Sequence, residues 1–152
     1  MSTRLHEPPQ SRSAADERAV AGPLMSAWLH RQGAWLTLKS LDDGRYLQAD
    51  PALAERLGLP GGLAGRTDAE LFEPALAAAL RAAEQAALAH GAAMACEHQF
   101  EHAGRRHEFE VMRQPVELGG RRAMAAIWHD SAPARVQAQQ LRAALAQIEQ
   151  QQ

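Results

Sequence analysis

Apolar residues alternate with polar ones in five stretches of the chain and recur every third or fourth position in the stretches between. Trp35-Leu36-Thr37-Leu38 and Arg45-Tyr46-Leu47 flank the turn sequence Asp42-Asp43-Gly44 and predict a β-hairpin. Asp50 then stands as an N-cap before Pro51, and Leu53, Leu57 and Leu59 give a short helix its inner side. Gly58 and Pro60-Gly61-Gly62 stop it. Thr67 or Asp68 caps a further turn with Leu71 and Phe72 facing inward. A longer helix follows over Pro74–Ala89. Its Leu76, Leu80, Ala83, Ala87 and Leu88 form a stripe, Arg81 and Glu84 lie opposite, and His90-Gly91 closes it. Three more strands complete the pattern: Met94–Phe100, His107–Val116 and one ending at Trp128-His129-Asp130. Strand alternation groups Met94, Cys96, His98 and Phe100 on one face. It does the same for Phe109, Val111, Arg113 and Pro115, and for Met124, Ala126 and Trp128.

Two strands, helices, then three strands predict an α+β fold: a five-stranded antiparallel sheet with helices on one face. Residues 1–16 are polar and broken by Pro8-Pro9, as in a flexible arm. Residues 17–33 predict a lead helix whose Leu24, Trp28 and Leu29 pack on the outside of the sheet or on a partner, with Gly22-Pro23 interrupting it. The main domain spans 34–132, and 133–152 form an exit helix. There Ala134, Ala138, Leu141, Leu145, Ile148 and Gln152 follow alternating steps of four and three, a short heptad seam. Leu141, Leu145 and Ile148 are the expected dimer contacts; the alternative is a helix folded back on its own sheet. No Gly, Asn or Pro follows the seam, so continuation into an output domain is expected.

Composition narrows the function classes. In 152 residues with a formal charge of −2 there is no basic excess of the kind that binds nucleic acid. No apolar run approaches the ~20 residues of a membrane span, and the start lacks the apolar core of a signal peptide. A cytoplasmic location is expected. The single cysteine, Cys96, forms no internal disulfide and is expected as a small buried hydrophobe. Seven histidines raise the question of a metal. His98, His102 and His107 straddle a hairpin, with His98 and His107 placed to face each other, yet they do not make up a ligand set; solvated histidines are expected, except His98, which shares the face of Met94, Cys96 and Phe100. No nucleophile elbow, phosphate loop or zinc-protease motif occurs, so no enzyme activity is expected.

Over Trp35–Asp130 the chain resembles the PAS, or sensory-box, family. Asp43-Gly44-Arg45 resembles the first hairpin turn of that family, and Asp50-Pro51-Ala52 with Leu57-Gly58 resembles its asparagine-alanine to leucine-glycine helix. Gly65-Arg66-Thr67-Asp68 with Leu71-Phe72 resembles a glycine-lysine-threonine-aspartate segment common in sensor kinases. Gly104 through Phe109, Val111 and Pro115 resembles the middle strands, and Asp130-Ser131-Ala132 stands where the family has Asp-Ile-Thr. Only Asp130 is retained there, as the residue expected to relay a signal.

The resemblance implies a sensory domain feeding a histidine kinase or a diguanylate cyclase, with a homodimer as the working unit. Flavin-adduct members carry a cysteine where this chain has Asp68, and haem-binding members carry a histidine inside the long helix, where Pro74–Ala89 has none. Neither cofactor is expected. The family binds small molecules between the long helix and the inner sheet face. Met94, His98, Phe109, Val111, Arg113, Met124 and Trp128 are the candidate ligand-binding residues, and Arg113 with His98 would favour a small carboxylate. The alternative is a core filled by Trp128 with Arg113 at the sheet edge, leaving a ligand-free dimerisation or protein-interaction module. A third alternative, a small enzyme, would rely on His98 with Asp130.

Overall fold

A computed structural model describes residues 10–151. The chain opens with α1 (Gln10–Arg31) and the hairpin β1 (Ala34–Ser40) and β2 (Tyr46–Ala49). Three helices follow: α2 (Pro51–Leu57), α3 (Asp68–Leu71) and α4 (Pro74–His90). Then come β3 (Met94–His102), β4 (Arg105–Leu118), β5 (Arg121–Asp130) and α5 (Ala132–Gln150). The sheet is five-stranded in the order β2-β1-β5-β4-β3, and every pairing between its strands is antiparallel, as the alternation predicted. The last strand therefore lies at its centre.

Local chemistry sets the helix boundaries. Asp50 accepts the Ala52 amide ahead of Pro51, and Gly58 closes α2 at φ 68, a left-handed conformation that glycine adopts without a Cβ clash. Thr67, rather than Asp68, caps α3 by accepting the Glu70 amide. The core lies between the sheet and these helices: Leu53, Leu57, Leu63, Leu71, Phe72 and Leu80 meet Phe109, Val111 and Trp128.

The ends differ from expectation. Residues 1–9 of the expected arm lie outside the described residues, and from Gln10 the chain is already helical. Pro23 sits inside α1 instead of ending it. α1 packs on β1, but of the three residues expected to pack Leu29 alone is buried; Leu24 and Trp28 are exposed. Cys96 is exposed too, as is Met94. Both begin an edge strand whose inward phase is covered by α4 only further along, where Leu76 and Ala79 face the stretch from His98 to His102. His98 and His107 do not face each other. His98 pairs with Phe109, while His107 pairs with Phe100 and lies 5.3 Å from its ring. His98 is buried, as its phase predicted, and His107 is buried rather than solvated.

Candidate functional site

The inner face of the sheet brings together six of the seven expected ligand-binding residues. Strand alternation turns Phe109, Val111 and Arg113 inward from β4, Met124 and Trp128 from β5, and His98 from β3, all of them buried. Met94 is not among them. Trp128 fills the centre: its ring meets Phe109 edge-on at 5.6 Å, and its Nε1 donates to Thr37 Oγ1 at 3.2 Å. What is left is a void of about 10 Å³ lined by Thr37, Lys39, Tyr46, Glu84, Arg113 and Trp128, among others. That is room for about one water molecule. A void of this size holds neither a flavin nor a haem.

Arg113 is 4% exposed, so it does not reach out at the sheet edge. Its Nη2 donates to His98 Nε2 at 3.0 Å, and its Nη1 has no partner among the described residues. Burial, reinforced by the neighbouring guanidinium, lowers His98 to about 4. The imidazole is therefore neutral, with Nε2 as acceptor and its proton on Nδ1.

The residues that sequence reasoning missed are charged. Lys39, on β1, reaches inward and pairs with both Asp68 of α3 and Glu84 of α4; all three side chains are no more than 16% exposed. Its ammonium also lies 4.9 Å from the centre of the Tyr46 ring. Tyr46 donates its hydroxyl to Asp68 Oδ1 at 2.7 Å, and burial holds that phenol well above its usual range. Two cations, Lys39 and Arg113, thus balance two carboxylates, Asp68 and Glu84, in one buried cluster. The signal available in the sequence was the phase of β1: Lys39 lies two and four residues from Thr37 and Trp35.

At the exit of β5, Asp130 is held from both sides. Its Oδ2 accepts from Arg56 Nη2 at 2.8 Å, its Oδ1 accepts the Ala132 amide at 3.1 Å, and its own amide donates to Gly33. These partners leave no bond to His98, so the pair considered for acid–base chemistry is not formed. Glu108, buried on the opposite phase of β4, accepts from Arg135 Nε at 2.6 Å. α5 is thereby tied to the sheet at its first turn. Beyond it Leu141, Leu145 and Ile148 are more than half exposed, so the helix does not fold back on its own sheet. Among the described residues no three His, Cys, Asp or Glu side chains are grouped to hold a metal, and no helix is long and apolar enough to cross a membrane.

Solved structures share this arrangement. The PAS domain from Bordetella pertussis BvgS is similar at TM-score 0.54 and 16% identity, over 82% of this chain and 98% of that one. The chain has the PAS fold. The PAS domain of nitrogen regulation protein NR(II) from Vibrio parahaemolyticus is similar at TM-score 0.52 and 17% identity, covering 70% of this chain and 97% of that one. An RNA-binding light-oxygen-voltage receptor is similar at TM-score 0.55 and 20% identity over 99% of this chain, which spans only 41% of the receptor. No protein-family model and no curated protein matches the sequence.

Proposed function

We propose that this PAS domain is a cytoplasmic sensory or regulatory module that works as a homodimer and passes its state through α5 to an effector of the histidine kinase or diguanylate cyclase type. The observation that carries this reading is the exit helix. It is clamped to β4 at its first turn by Arg135 and Glu108, while Leu141, Leu145 and Ile148 present an unpaired apolar seam further on. In this scheme 34–132 is the sensing unit and 133–152 the output lever, with Asp130 as the joint between them. A shift in the packing of β4 and β5 would reorient the helix and change how two copies pair. Sedimentation tests it. Deleting residues 133–152, or substituting Leu145→Glu, lowers the association state; an unchanged state excludes α5 as the dimer contact.

Two observations bear on what is sensed. The void of about 10 Å³ supports a ligand-free interaction module. The buried, unpaired Arg113 Nη1 supports the other reading, a small carboxylate taken up at the inner face beside His98, Arg113 and Trp128.

A further inference from the structure

A half-open cleft of about 560 Å³ lies between α4, α3 and the turn joining β1 to β2, lined by Lys39, Asp43, Asp68, Arg81 and Glu84 among small residues. Lys39 and Glu84 also line the internal void in which Arg113 stands. One ion pair therefore separates the cleft from the buried guanidinium. The two carboxylates of the cluster are not held alike. Asp68 uses one oxygen for Tyr46 and the other for Lys39, whereas among the described residues the Glu84 carboxylate bonds to Lys39 alone. Burial pulls the Arg113 guanidinium below its ordinary value, and the charge of Glu84 is the largest influence opposing that.

We propose that Glu84 is a built-in occupant of the cation pair Lys39–Arg113, and that a small monocarboxylate enters through the cleft by displacing it. This rests on the carboxylate reading of the inner face and names its gate and its way in. The exchange conserves charge, because an incoming carboxylate replaces one carboxylate and leaves two cations facing two anions. It also conserves space: the void alone is too small for an organic acid, but withdrawal of the Glu84 side chain vacates the volume of a group of its own kind. The released Glu84 has a partner at hand. Arg81 stands three residues earlier on α4, exposed on the same cleft, at the spacing that lets helical side chains pair. Lys39 and Glu84, absent from the expected binding set, thereby become its binding residue and its gate.

The test uses the full chain and sodium acetate, compared with sodium chloride at equal ionic strength. Acetate raises the thermal midpoint of the wild type saturably. Glu84→Ala, which empties the site in advance, is half-saturated at an acetate concentration at least tenfold lower. Adding Arg113→Lys to that variant raises the concentration at least tenfold again. A wild type without a saturable response overturns the proposal even if Glu84→Ala responds, since the variant would then bind acetate only in a cavity made by mutation. Equal half-saturation in wild type and Glu84→Ala overturns it as well. Should Glu84→Ala fail to fold, Glu84→Gln keeps the size, removes the charge and must show the same tightening. Sedimentation of the wild type keeps the two readings apart: a dimer without acetate binding removes the gate, while a monomer removes the exit-helix reading.

Discussion

Replacing His98 with glutamine should flatten the acid limb of the stability curve. In the folded chain burial and the Arg113 guanidinium hold His98 to about 4, against an ordinary value of 6.5. The sign follows from proton counting. Between those two values the unfolded chain binds the proton and the folded chain does not, so stability falls as pH is lowered through the window. This is the reverse of a histidine stabilised by a carboxylate. One pH unit corresponds to about 1.4 kcal/mol, so a gap of this size is worth roughly 3 kcal/mol across the window, levelling off near pH 4. His98→Gln retains an acceptor oxygen for Arg113 Nη2 and cannot take up a proton. Urea unfolding of both proteins between about pH 3.5 and 7.5 isolates the effect, because His107, lowered in the same direction, contributes equally to each. The wild type should lose roughly 3 kcal/mol more than the variant between pH 6.5 and 4. Parallel curves, within about 0.5 kcal/mol, would refute the buried neutral histidine.

Two further outcomes are expected. Arg135→Ala leaves the buried Glu108 carboxylate with Arg106 alone, at 3.5 Å; it should cost about 1–2 kcal/mol, since Arg135 is itself half exposed, and it should speed amide exchange over the first turns of α5. The purified protein should be colourless, and a visible band that survives gel filtration would contradict the packing of Trp128 against Phe109 and Thr37.

Much of the fold was legible because its signals are local. Asp50 before Pro51, Gly58 after Leu57, Thr67 before Asp68 and Gly91 after His90 each act through neighbouring backbone groups; Asp50, Gly58 and Gly91 stand where the sequence put them, and Thr67 is one of the two caps it offered. Alternation likewise turned His98, Phe109, Val111, Arg113, Met124 and Trp128 to one face. Alternation fixes a face, however, and not what covers it. Met94 and Cys96 share the phase of His98 but begin an edge strand, and coverage by a helix is a tertiary fact. The His98–His107 juxtaposition failed for a related reason: the register of β3 on β4 is set over the whole hairpin, and a shift of two residues keeps every side chain on its face while exchanging every partner.

The first strand runs against simple hydrophobicity. Hydrophobicity would bury Leu36 and Leu38, yet Leu36 is exposed, Leu38 only partly buried, and Thr37 and Lys39 are the residues inside. Transfer free energies alone forbid this, because an unpaired ammonium in a core costs several kcal/mol. It is possible only because elements remote in sequence deliver compensating groups. Trp128, on the neighbouring strand, donates its indole N–H to Thr37, and α3 and α4 bring Asp68 and Glu84 to Lys39. A sequence window around β1 contains none of them. Partners so distant also make the cluster a cooperative joint between sheet and helices: moving any one charged group leaves another buried without its counter-charge. A core built this way resists small adjustments, because no one of these groups can leave its place without unbalancing the charge around the others.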